Sequence, residues 1–175
     1  MFVTMKNRML KIGTLVASLA LFVTVSIASA GEASSDAWAN SNGAAGANAA
    51  YNGDGRGWAK TNTKSGNISY GRGTAFGIDR DGVSFSLSQA LAPRFGPAIA
   101  STFNVSIGFD GEVNSSHGNS IARGGSVREV NAGGFANSNR FLGGSSGATA
   151  GGRTEHGGRV EAFTKSNSRQ LFRRR

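Results

Sequence analysis

Val83-Ser84-Phe85-Ser86-Leu87-Ser88-Gln89-Ala90-Leu91-Ala92 alternates large apolar residues with small ones. Successive side chains of a strand point to opposite faces, so Val83, Phe85, Leu87 and Leu91 share one face and Ser84, Ser86, Ser88, Ala90 and Ala92 the other. Thr102-Phe103-Asn104-Val105-Ser106-Ile107-Gly108-Phe109-Asp110 repeats the pattern, with Phe103, Val105, Ile107 and Phe109 on one face. Between them lies Pro93-Arg94-Phe95-Gly96-Pro97, which holds both prolines of the chain. A proline cannot donate to a strand ladder, so this segment reads as the rigid loop of an antiparallel pair, Val83–Ala92 with Thr102–Phe109. One apolar row over two strands is too little core. Other segments are therefore expected to cover Phe85, Leu87, Val105 and Ile107.

Turn signals bracket the pair: Asp79-Arg80-Asp81-Gly82 before it and Asp110-Gly111 after it. Weaker alternation predicts strands over Trp58–Thr63, Ile68–Phe76, Ser126–Val130 and Arg159–Ser168, with turns at Asn52–Gly55 and Lys64–Asn67. Gly143–Gly158 reads as loop, and residues 31–57 and 143–158 are expected to be loosely ordered. No segment keeps a 3.6-residue apolar period, and strong helix formers are scarce. The expected fold is all-β: an antiparallel sandwich or an irregular solenoid-like domain built around Val83–Phe109.

The first 30 residues read differently. Lys6, Arg8 and Lys11 precede an apolar run from Ile12 to Ile27, and Ala28-Ser29-Ala30 follows as an A-x-A site. A basic start, a short apolar run and a small-residue site together mark a secretory signal peptide. Met1–Ala30 is therefore expected to be cleaved after Ala30, with Met1 and Met5 both available as starts. The apolar run is shorter than the roughly 20 residues a bilayer-spanning helix needs. No cysteine follows it for lipid attachment, and no later stretch is apolar enough for a transmembrane helix. The expected destination is the periplasm, the cell surface or the medium.

Removing the signal takes away three of the 19 Lys and Arg and none of the ten acids, leaving a net charge of +6. Gly, Ala, Ser and Asn supply 78 of the remaining 145 residues, and Leu, Ile, Val and Phe only 24. That apolar share is near the range in which chains fail to build a core, although the net charge is modest for disorder. A thin structure of closely packed small side chains fits this balance. The expected organisation is the signal, one domain over 31–172 and a basic tail, 173–175.

Two short motifs recur. Trp38-Ala39-Asn40-Ser41-Asn42 is echoed by Phe135-Ala136-Asn137-Ser138-Asn139. Lys60-Thr61-Asn62-Thr63-Lys64 is echoed by Lys165-Ser166-Asn167-Ser168-Arg169. The spacing between the two motifs differs in the two halves, so a strict repeat is not expected; two related arms around the central hairpin are.

Little in the chain suggests catalysis. His117 and His156 are the only histidines, both set among Gly and Ser, and read as loop residues. There is no cysteine, no H-E-x-x-H and no Walker pattern, so neither enzyme activity, a cofactor nor a zinc site is expected. Asp79-Arg80-Asp81-Gly82 is a fragment of a calcium turn without the further acids such a loop needs. The remaining signals are basic and small. Arg72, Arg123, Arg153 and Arg159, with Arg173, Arg174 and Arg175, could hold acidic polymers such as polysaccharide, lipopolysaccharide or extracellular DNA. Cytosolic nucleic acid is not an expected partner of an exported chain. Small-residue strands with free edges would also let identical chains stack. The sequence thus predicts a non-enzymatic, exported structural or surface protein that self-associates. A binder of acidic polymers or a small outer-membrane β-barrel are the alternatives.

Overall fold

The computed structural model describes residues 31–139 and 143–171; the signal Met1–Ala30 and the tail arginines Arg173, Arg174 and Arg175 lie outside the described residues. The described residues form ten strands: β1 (Gly31–Asn40), β2 (Ala45–Asn52), β3 (Arg56–Lys64), β4 (Ile68–Ile78), β5 (Gly82–Pro93), β6 (Ala98–Gly108), β7 (Glu112–Gly124), β8 (Val127–Ser138), β9 (Ser145–Glu155) and β10 (Gly158–Gln170). All pairings are antiparallel. A four-stranded sheet, β2-β1-β8-β9, packs on a six-stranded sheet, β10-β7-β6-β5-β4-β3. The fold is a β-sandwich, and the sheets do not close into a barrel. The outer-membrane barrel expected as an alternative is therefore not formed.

Short hairpins make β3 to β7 a meander. The chain changes sheets three times, between β2 and β3, β7 and β8, and β9 and β10. At the second crossing Gly124 and Gly125 both take φ of 71°. At the third, His156 takes φ of 58° beside Gly157 at 79°. Left-handed backbone suits glycine, which has no Cβ to clash.

The central pair forms as the alternation requires, with Phe85 opposite Val105 and Leu87 opposite Phe103. Its orientation is the reverse of the expectation. Ser84, Ser86, Ser88, Ala90 and Ala92 face the other sheet and are buried, as are Thr102, Asn104 and Ser106. Phe85, Leu87 and Val105 stay half-buried on the outside, and Phe103 and Ile107 are 45% and 43% exposed. No described segment covers this row.

The interior explains the inversion. Among the described residues the buried hydrophobics are eleven alanines and Val130, and Val130 and Asn104 are the bulkiest side chains in full burial. Such small faces let the sheets approach until hydroxyls bond across the gap. Ser35 Oγ lies 2.7 Å from Ser86 Oγ and 3.0 Å from Ser88 Oγ. Ser84 Oγ donates to the Gly31 carbonyl at 2.6 Å and Ser88 Oγ to the Ser35 carbonyl at 2.9 Å. A Cβ on Gly71 would overlap the Gly46 carbonyl oxygen, so backbone meets backbone there. A Phe or Leu row pointing inward would force the sheets out toward the ~10 Å of ordinary sandwiches and break these bonds.

The Gly-rich stretch expected as loop, Gly143–Gly158, instead holds β9. Glycine is tolerated there because neighbours fill the space: a Cβ on Gly147 would lie 2.5 Å from the Phe135 ring. Likewise β1 and β2 occupy the other Gly-rich flank, where the Trp38 indole lies over Gly46. An aromatic ring folded onto a strand glycine shields backbone that the missing side chain would leave open.

Candidate functional site

The outward face of the six-stranded sheet is the chemically distinctive surface. The register sets its rows. One row runs Lys64, Tyr70, Leu91, Ile99, Ile121, Glu161. The next runs Asn62, Arg72, Gln89, Ser101, Asn119, Phe163. Beyond it come Lys60, Thr74, Leu87, Phe103, His117, Lys165, then Trp58, Phe76, Phe85, Val105, Ser115, Asn167. The last full row is Arg56, Ile78, Val83, Ile107, Val113, Arg169.

Two features stand out. The middle strands β4 to β7 carry most of the apolar residues, while the edge strands β3 and β10 carry most of the cations. Among the described residues the face holds eight Lys or Arg, namely Arg56, Lys60, Lys64, Arg72, Arg123, Arg159, Lys165 and Arg169, against the single acid Glu161. The positive charge of the domain is thus concentrated where its large apolar side chains are. Trp58 stacks on Phe76 at 6.4 Å between centroids, and Phe85 and Phe103 tilt together at 6.5 Å. Ring contacts of this kind hold the apolar rows as a continuous surface.

A groove of about 620 Å³ crosses this face. Tyr70, Leu91, Ile99, Ile121 and Phe163 form its apolar walls. Its polar lining comes from Gln89, whose Nε2 donates to Ser101 Oγ at 3.1 Å, and from Asn119. Pockets of this size, mostly apolar with a few polar groups, suit small or chain-like ligands.

The arginines singled out in the sequence do not converge on one site. Arg72, Arg123 and Arg159 lie on the outward face, with Arg159 directly opposite Arg123. Arg159 is ion-paired to Glu161 at 2.9 Å. Arg153 is on the outer face of the other sheet, paired to Glu129 at 3.2 Å. The cations that complete the rim, Arg56, Lys60, Lys64, Lys165 and Arg169, were missing from that set. For all but Arg56 the signal was present as the echoed Lys60–Lys64 and Lys165–Arg169 motifs, which become the two edges of one sheet.

The histidines differ from the loop expectation in one case. His156 is exposed in the last crossing, its Nδ1 2.9 Å from Ser126 Oγ. His117 instead lies on β7, on the outward face, its ring 5.7 Å from that of Phe163. The Asp79-Arg80-Asp81-Gly82 segment is a turn closed on itself: Asp79 Oδ1 accepts from the Asp81 and Gly82 amides at 2.8 and 3.0 Å. Among the described residues no cluster of three or more His, Asp or Glu could hold a metal ion. No family model, no curated protein and no solved structure matches the chain.

Proposed function

We propose that this is an exported, non-catalytic surface protein that lays its six-stranded sheet on an anionic lipid surface. The observation that carries the reading is the combination of apolar rows and a cationic rim on one face, eight Lys or Arg against one acid. Soluble monomers rarely expose large contiguous apolar patches without a binding role. Six strands about 4.8 Å apart and about 35 Å long give a platform of interface size. Anionic headgroups would meet the rim, each nearby Lys or Arg contributing about 1 kcal/mol at an anionic membrane surface. Acyl chains would meet the apolar rows and the groove. Export through Met1–Ala30, cleaved after Ala30, supplies the route to such a surface.

A free acidic polysaccharide or DNA uses the rim and leaves the apolar rows in water, so it fits less of the face. Self-association is also the weaker reading. Two copies placed face to face bring like-charged rims together, and Lys residues on both edge strands oppose strand-by-strand stacking.

Vesicle sedimentation tests the proposal. The protein beginning at Gly31 should pellet with phosphatidylcholine vesicles containing phosphatidylglycerol and not with phosphatidylcholine alone. Binding should fall as salt rises. Lys60→Glu with Lys165→Glu should abolish it without unfolding the chain. Equal binding to both vesicles, or none, would overturn the reading. Concentration-dependent dimers in sedimentation velocity would favour a second copy as the partner of this face.

A further inference from the structure

Gly31 sits at the end of β1 against two buried polar atoms, Asp79 Oδ2 and Tyr51 Oη. Asp79 Oδ2 makes no hydrogen bond, and Tyr51 Oη has only the Gly55 backbone near it. Both converge on Gly31. A Cβ built there would overlap Asp79 Oδ2 and lie 2.9 Å from Tyr51 Oη. The Gly31 nitrogen, one bond from Cα, is therefore within a few ångström of the carboxylate. Everything around it is fixed. The Gly31 carbonyl accepts from Ser84 Oγ at 2.6 Å, and the residue pairs with Ser138 of β8. Asp79 Oδ1 is held by the Asp81 and Gly82 amides. The Tyr51 ring is wedged among glycines, since a Cβ on Gly57 or Gly77 would overlap it. An unpaired buried carboxylate oxygen is costly, and a phenol oxygen beside it adds to the cost.

We infer that this pair is a built receptor for the α-ammonium group of Gly31, created when the signal peptide is removed. The inference rests on the export reading above. Hydrolysis of the Ala30–Gly31 amide by a signal-peptide endopeptidase adds water across the bond. Ala30 leaves with the carboxylate, and the Gly31 nitrogen leaves as an amine that takes up a proton. The new ammonium carries three donors where the amide had one. It supplies the charge that Asp79 lacks and a donor for Tyr51. Glycine is required at this first position because any side chain would collide with Asp79, and the A-x-A site cuts immediately before it. Processing therefore locks the β1 end to the β4–β5 turn. Burial and the nearby Asp79 carboxylate already hold the Tyr51 phenol above its ordinary range, as expected of a site short of positive charge.

The test compares chains that begin at Gly31 and at Ala30, each with Asp79 or Asp79→Asn. The Gly31 form should melt at least about 4 °C above the Ala30 form, and Asp79→Asn should erase that difference. Nuclear magnetic resonance titration of the Gly31 α-amino group should give a pKa above the ordinary value of about 7.7–8.0. That titration decides the matter even if Asp79→Asn fails to fold. Equal melting of the two forms with an ordinary α-amino titration would overturn the pairing. Intact mass of the exported protein checks the other half: a first residue other than Gly31 would overturn the role of processing, independently of the pairing.

Discussion

Ser86 Oγ donates to Asn104 Oδ1 at 2.6 Å, directly across β5 and β6 at the centre of the sandwich. Their chain neighbours Phe85 and Phe103 meet on the opposite side of the same sheet, at the protein surface. The polar pair is inside and the aromatic pair outside. Asn104 is also a hub, with Nδ2 reaching Ser116 Oγ at 3.2 Å and the Gly147 carbonyl of the other sheet at 2.9 Å. A core of this kind gains little from apolar burial. Its specificity comes from pairing hydroxyls and amides across the gap, and a half-satisfied network is worse than none.

Asn104→Ala should therefore destabilise the protein by about 2–4 kcal/mol, since it removes the amide's bonds to the Ser86 and Ser116 hydroxyls and to the Gly147 carbonyl and opens a void. Ser86→Ala should cost less, about 1 kcal/mol, because it removes one small group. Urea unfolding of the two variants and wild type checks the ranking. Equal, negligible effects would show that the network does not hold the sheets.

The inverted faces make a sharper contrast. Ile107→Asp places a charge at a position 43% exposed and should leave the fold intact, with a change within about 1 kcal/mol. Ala100→Asp places the same charge at a position 4% exposed, facing the other sheet, and should prevent folding. The same Ile107→Asp chain should lose its affinity for anionic vesicles. Circular dichroism melts and vesicle sedimentation read the two effects separately. Unfolding of Ile107→Asp would restore the reading in which the apolar row is the core.

That reading was the natural one from sequence, and its failure is instructive. Alternation at Val83–Ala92 and Thr102–Phe109 located the two strands because period two is a geometric property of the chain. It could not say which face is buried. The rule that large apolar residues go inside assumes a core that needs volume. Here Ser84, Ser86, Ser88 and Ser106 bond across to the other sheet, so the small face closes first. β7 keeps the same alternation, Asn114, Ser116, Gly118 and Ser120 inward, but with only Val113 and Ile121 at its ends as apolar outward residues it left no visible signal. β9 was hidden by glycines whose space is filled by residues far away in sequence, such as Phe135 over Gly147. The cationic rim was hidden for a related reason. Lys60 and Lys165 are 105 positions apart and become opposite edges only through the pairing of β3 with β4 and β10 with β7.

Asp36 offers a pH test of the outer face of the smaller sheet. The residue remains exposed as a whole, but its carboxyl folds down onto the strand beside it: a Cβ on Gly133 would overlap Asp36 Oδ1 and lie 3.3 Å from Thr149 Oγ1. Loss of water on that side pushes the Asp36 carboxyl above the usual carboxylate range. The sign of the consequence follows from linkage. At neutral pH the group is ionised in both folded and unfolded chains, and the folded state bears the desolvation cost. As pH falls through the raised folded value, the folded chain takes up the proton first and the cost is relieved. Below the unfolded value of about 3.9 both states are protonated and nothing further changes. Asp36→Asn, which keeps the shape without the charge, should raise the melting temperature at pH 7 by a few degrees. The gain should shrink through the acid range and vanish near pH 3. Comparing the variant with wild type at each pH cancels the other carboxylates. A gain that stayed constant with pH would mean that the amide makes a new contact over Gly133, and that burial of the charge is not what strains this site.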